Sequence, residues 1–190
     1  MPKVCLLILL VFAAVVSAPA QPAFKVYPSE EKMMEGGTAS LLIIETDHGR
    51  YSLRVPQEYG AQVHPSDHTV IFTAQNASSV ITLKMTTNYA GKLPRQDELR
   101  DIVVQKFPTA SFARASACYT SCGAGSVFEF FQPAAGNTTM RIKDAYLPFA
   151  DGSFEFTLKC DSRDYDKNRL GFDWLLNSFR LQADTGIKQQ

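Results

Sequence analysis

At 190 residues with 45% hydrophobic side chains, the chain is long enough for one ordinary domain with its own core and too apolar for a disordered segment. Its 19 Lys and Arg side chains balance its 19 Asp and Glu, so no basic excess is present to hold nucleic acid or an anionic surface.

Met1-Pro2-Lys3 places a positive charge before an uncharged apolar run over residues 4–16, and Ser17-Ala18-Pro19-Ala20 follows with small residues. That is the order of a secretory signal peptide spanning residues 1–20, cut after Ala18 or Ala20. The apolar run falls short of the roughly 20 residues that cross a bilayer, and no later stretch approaches that length. The mature chain is therefore expected to be exported, periplasmic or extracellular, and not membrane-spanning. Cleavage removes Lys3 and Cys5, which leaves Cys118, Cys122 and Cys160 in an oxidising compartment. An odd number of cysteines permits one intramolecular bridge and leaves one thiol over.

Residues 21–38, interrupted by Pro22, Pro28 and Gly36-Gly37, read as a linker or N-terminal arm; residues 39–182 read as a single domain, and 183–190 as a flexible tail. Residues 41–45 and the alternation Tyr51, Leu53, Val55 make a first hairpin around Asp47-His48-Gly49. Residues 69–74 and the clean alternation Ile81, Leu83, Met85 make a second. The period then changes over residues 94–107, where Leu99, Ile102, Val103 and Phe107 share a helical face and Pro108 ends the helix. Residues 112–119, 127–132 and 139–149 are strands joined by short turns, and Phe154, Phe156, Leu158 and Cys160 alternate with Glu155, Thr157 and Lys159. A last helix over 166–181 carries the stripe Phe172, Leu175, Leu176 and Phe179, to which Trp174 adds an edge.

This order defines an α+β fold, an antiparallel β-sheet of about six or seven strands flanked by two helices. Its expected interior includes Ile81, Leu83, Phe128, Phe130, Phe154, Phe156, Leu158, Trp174 and Phe179. Three segments resemble the PsbP-like fold family: the strand Tyr51-Ser52-Leu53-Arg54-Val55-Pro56, the pair Thr69-Val70-Ile71-Phe72 and residues 80–86, and the ending Phe172-Asp173-Trp174-Leu175-Leu176-Asn177-Ser178-Phe179-Arg180. The resemblance implies a PsbP-like sandwich and a binding or assembly-accessory role with a protein partner in the envelope or extracellular space. It supplies no ligand or partner residues.

His64-Pro65-Ser66-Asp67-His68 places two imidazoles and a carboxylate within one short segment, a candidate set for zinc or copper at His64, Asp67 and His68. A solvated polar loop is the plainer reading of the same residues. No catalytic residue and no cofactor is expected: around Ser126 the G-x-S-x-G elbow is missing, and the three-residue gap between Cys118 and Cys122 is not a redox C-x-x-C. These two cysteines flank a hairpin turn, where opposite residues lie about 4.5 to 5.5 Å apart at Cα, so a structural Cys118–Cys122 disulfide is expected and Cys160 reads as a buried free thiol, with a bridge from Cys160 to the hairpin as the alternative. The aromatic-rich Phe128-Glu129-Phe130-Phe131 belongs to the core by default, with an exposed docking patch as its alternative. An exported, non-enzymatic binding or accessory protein is the leading expectation. A carrier with an apolar pocket for a small molecule or lipid is the alternative, and a metal-dependent enzyme built on His64, Asp67 and His68 is the third.

Overall fold

The computed structural model describes residues 24–76, 79–87, 94–149 and 152–182. The signal-peptide reading of residues 1–20 and the tail over 183–190 lie outside the described residues. In chain order the elements are β1 (Phe24–Lys32), β2 (Thr38–Thr46), β3 (Gly49–Arg54), β4 (Tyr59–His64), β5 (Thr69–Ala74), β6 (Ser79–Thr86), α1 (Gln96–Lys106), β7 (Ser111–Thr120), β8 (Gly123–Pro133), β9 (Thr139–Phe149), β10 (Gly152–Asp161), α2 (Tyr165–Ser178) and β11 (Arg180–Leu181). They build two antiparallel sheets, one ordered β1-β2-β3-β11 and the other β4-β5-β6-β10-β9-β8-β7. The class is α+β, with more strands than the sequence suggests.

The additional strands are those with little side-chain signal. β1 falls within the segment read as a linker or arm, and it pairs with β2 along its whole length, from Phe24 opposite Thr46 to Lys32 opposite Thr38. Only Phe24 of β1 is buried, so backbone pairing rather than alternation holds it. β4 buries Tyr59 alone and leaves Gly60, Ala61 and Gln62 exposed, as an edge strand does. β11 ends the expected last helix early: Phe179 turns to extended backbone at φ −68° and ψ 122°, and Arg180 then pairs with Ser52.

Each face of the seven-stranded sheet has its own cover. On one face Ile81, Leu83, Phe154, Phe156, Leu158 and Cys160 pack with Leu42, Ile44, Tyr51 and Leu53 of the smaller sheet and with Phe172, Leu175, Leu176 and Phe179 of the α2 region. Phe179 is the hub: its ring stacks on Tyr51 at 5.4 Å and meets Phe154 and Phe156 edge-on at 4.9 and 5.4 Å. On the other face Leu99 and Val103 of α1 close over Phe128, Phe130, Ile142 and Tyr146. Phe128 and Phe130, two residues apart on β8, thus share the α1 face, whereas Val127 joins the larger cluster. Phe131 is partly exposed, with the Arg141 guanidinium 5.1 Å from its ring centroid.

Two residues expected inside are outside. Ile102 is 42% exposed because α1 rests on the sheet along the single ridge of Leu99 and Val103. Trp174 is 52% exposed because at about 100° per residue it stands across the α2 axis from Phe172 and Leu176.

Candidate functional site

The outward side of α2 carries the largest departure from a conventional polar helix surface. Leu170 and Trp174 lie one helical turn apart, so their side chains adjoin, and they are 65% and 52% exposed. Asp161 accepts a hydrogen bond from Arg163 N at 2.9 Å and starts the short turn leading into the helix. At the other end Ser178 Oγ donates to the Leu175 carbonyl at 3.0 Å and accepts from Arg54 N at 2.9 Å, which ties the helix terminus to β3. Gly171 seats α2 against β4. A Cβ there would lie 2.8 Å from the Tyr59 ring, so only glycine permits the approach.

Two hollows flank the Leu170–Trp174 ridge. One, of about 430 Å³, runs from Trp174 to Arg54, Asn177 and Arg180. The other, of about 310 Å³, lies between the ridge and Pro56, Gln57 and Glu58. A third, of about 260 Å³, continues past Glu58 and Gly171 to Lys167, Asn168 and Gln75. The rim charges are mixed: Arg54 and Arg180 share Glu31, at 2.7 and 3.7 Å, while Glu58 and Asp173 stand nearby. An apolar ridge with an aromatic at its centre, concave flanks and a polar rim has the anatomy of a protein–protein contact surface. The sequence did carry this signal, since Leu170 and Trp174 are spaced i, i+4 off the core stripe.

The residues proposed for metal binding are held in separate contacts. His64 ends β4 with its Nε2 buried and without a hydrogen-bond partner. Asp67 accepts from Ser66 Oγ at 3.3 Å, and His68, left-handed at φ 50°, lays its ring 5.3 Å from Phe24. Among the described residues no group of three or more His, Cys, Asp or Glu side chains is arranged to hold a metal ion.

The expected Cys118–Cys122 disulfide is corrected: Cys118, Cys122 and Cys160 are free. The register gives the reason. Thr120 pairs with Gly123 and Cys118 with Gly125, so Cys122 sits in the turn itself and never opposes Cys118. Cys122 Sγ points instead to the Phe179 carbonyl at 3.8 Å, beside Ser121 Oγ at 3.1 Å, and this anchors the β7–β8 turn on the end of α2. Cys160 is buried as expected; burial, then the charge of Asp164, pushes its thiol up to about 11.

Periodicity did not expose two polar groups inside the domain. Glu129 is buried and bridges Arg114 Nη2 at 2.6 Å and Arg141 Nη2 at 3.0 Å. Burial pushes its carboxyl up, but Arg114 and its neighbours outweigh that and hold it below the ordinary carboxylate range. On the α1 face, fully buried Asp144 accepts from Thr157 Oγ1 at 2.5 Å and Tyr146 Oη at 3.0 Å. Lys106 at the end of α1 lies 3.7 Å from Asp144 and pairs with Glu155. Burial, then the Glu155 carboxylate, push Asp144 up to about 7 against the pull of Lys106, Thr157 and Tyr146.

The fold places the chain in an architectural class, the PsbP-like α+β sandwich. The solution structure of cyanobacterial PsbP (CyanoP) from Synechocystis matches it at a TM-score of 0.55 and 12% identity, over 87% of this chain and 96% of that one. The Ran-binding protein Mog1p of Saccharomyces cerevisiae aligns at 0.47 and 8%, covering 83% and 96% of the two chains. LpqN of Mycobacterium tuberculosis, involved in cell envelope biogenesis, aligns at 0.41 and 11%, covering 83% and 92%. No family model matches the sequence, and no curated protein matches it. Among the described residues no helix is long and apolar enough to cross a membrane.

Proposed function

We propose that the chain is an exported, non-enzymatic accessory protein that docks a protein partner through the Leu170–Trp174 ridge of α2. The observation that carries this reading is the exposure of those two side chains, one turn apart, between hollows of about 430 and 310 Å³. The mixed rim charges of Arg54, Arg180, Glu58 and Asp173 favour a protein surface over an anionic lipid or nucleic acid, which would call for one sign. The sandwich architecture shared with CyanoP supports the fold under this reading, and the ridge itself supports the docking.

The carrier reading draws no support from the interior. The centre of the main core is filled by Tyr51, Phe154, Phe156 and Phe179, whose rings touch at 4.7 to 5.4 Å. The hollow beside Tyr59, at about 260 Å³, lies below the common range of ligand pockets, roughly 300 to 1,000 Å³, and is rimmed by Glu58, Lys167 and Asn168. Affinity capture from the source envelope, run in parallel with the native chain and with Leu170→Glu and Trp174→Glu, tests the proposal. A partner retained by the native chain and lost by both variants is expected. Equal retention by all three would remove the ridge from the account.

A further inference from the structure

Two sheets have four outer edges, and three of these edges are guarded against pairing with another chain. β1 carries Pro28, which has no N–H to offer, together with Lys25, Glu30, Glu31 and Lys32. β4 has six residues and runs into Pro65, and β11 has two. The fourth edge, β7, is of another kind: ten residues, Ser111–Thr120, with neither proline nor lysine, whose one register shift against β8, between Phe112 and Arg114, lies near its start and leaves Arg114–Thr120 regularly paired. Its one charged side chain, Arg114, is exposed but engaged by buried Glu129 of β8, with Nη2 at 2.6 Å and Nε at 3.0 Å from Oε1. Residues 113–117 (Ala, Arg, Ala, Ser, Ala) are all exposed, so neither face of the strand's middle is covered. The strand pairs with β8 on one side only, which leaves a row of backbone donors and acceptors on the other.

We infer that β7 is a self-association edge, at which a second copy of this chain adds its own β7 antiparallel across a two-fold axis and joins the two seven-stranded sheets into one. The pattern of faces limits the register. Arg114 reaches Glu129 and Cys118 packs on the main core cluster, so Arg114, Ser116 and Cys118 share one face and Ala115 and Ala117 the other. Opposite residues of an antiparallel pair share a face, so the axis passes through a residue rather than between two. Centred on Ser116, the pairing sets Ser116 against its own counterpart, Ala115 against Ala117 and Arg114 against Cys118. No like charges meet, and no side chain is large enough to hold the strands apart. A foreign strand would need pockets along β7 to be read, and Ala113, Ala115 and Ala117 form none; self-pairing requires none.

Sedimentation velocity on the purified chain over roughly 1 to 100 µM tests this, with a reversible dimer expected in that range. The double variant Ala115→Lys, Ala117→Lys places lysines opposite one another twice and is expected to weaken the dimer by about ten-fold or more. The pair Ala115→Lys, Ala117→Glu sets opposite charges across the same positions and is expected to restore it. Hydrogen exchange should show amide protection in residues 113–118 that rises with protein concentration. A chain that stays monomeric throughout, or a dimer that both double variants affect equally, or one lost with Trp174→Ala and kept with the lysine pair, would overturn the inference.

Discussion

Asp144→Asn removes a carboxyl group that the fold holds in an unfavourable place, and its effect on stability depends on pH. Asp144 is fully buried and sits among Thr157, Tyr146, Glu155 and Lys106, with its carboxyl pushed up from 3.8 to about 7. Its folded-state pKa therefore lies above its unfolded value. The stability it contributes is present in full below about pH 4 and is lost as the pH rises through 7, because the unfolded chain has already released the proton that the native chain still holds. Between pH 5 and pH 8 the native chain gives up nearly one proton more than the unfolded chain, over about two pH units of unequal binding. At about 1.4 kcal/mol per unit, that is a loss on the order of 3 kcal/mol. Urea unfolding of the native chain and of Asp144→Asn at half-unit steps across this window reads the difference. The native midpoint should fall toward pH 8 while the variant's stays nearly level, so that the two curves converge or cross. Below pH 4.5 the carboxyls of Glu31, Glu129 and Asp161, all held low by arginines, give the opposite slope, so the comparison belongs above that value. Parallel curves for the two proteins from pH 5 to 8 would show that Asp144 does not carry this pH dependence.

Other consequences are more local. Phe179→Ala empties the contact point of Tyr51, Phe154 and Phe156 and should cost about 3 to 5 kcal/mol in denaturant unfolding, whereas Trp174→Ala should change stability by less than about 1 kcal/mol. Gly125→Ala would bring a Cβ to 2.3 Å from the Tyr146 carbonyl oxygen and 2.7 Å from Leu147; backbone cannot yield cheaply, so a loss of about 2 kcal/mol or more is expected in its melting curve. In thiol labelling of the native chain, Cys160 should react far more slowly than Cys118 or Cys122, and after denaturation all three should be free. A cross-linked peptide containing Cys118 and Cys122 would reinstate the bridge.

Side chains made much of the architecture legible where they alternate against one dry face. Ile81, Leu83 and Met85, and Phe154, Phe156 and Leu158, are each buried, and β6 and β10 prove to be neighbours. Strands whose partner supplies the order left no such mark: β1 shows Glu30-Glu31-Lys32 and β4 shows Gly60-Ala61-Gln62 because edges face water. The buried charges were equally hidden. Glu129 and Asp144 interrupt apolar strands as surface residues would, and only the register that brings Arg114 opposite Glu129 and Asp144 opposite Thr157 reveals their partners. The disulfide expectation failed for a related reason: a three-residue turn over 119–121 would set Cys118 opposite Cys122, whereas the two-residue turn Ser121-Cys122 does not, and spacing alone does not choose between them. The ridge of Leu170 and Trp174 is present in the helical periodicity, but an apolar residue at the edge of the stripe Phe172, Leu175, Leu176 and Phe179 can lie inside or outside, and Trp174 lies outside.

If α2 is a docking surface, its exposed ridge contributes to the affinity for the partner. The most direct test is to measure the affinity of the captured partner for the native chain and for Trp174→Ala and Leu170→Ala, with melting temperatures recorded alongside. A dissociation constant at least about ten-fold weaker is expected for Trp174→Ala, from the loss of an aromatic anchor, at an unchanged melting temperature. Undiminished affinity in both variants would contradict a docking role for the ridge.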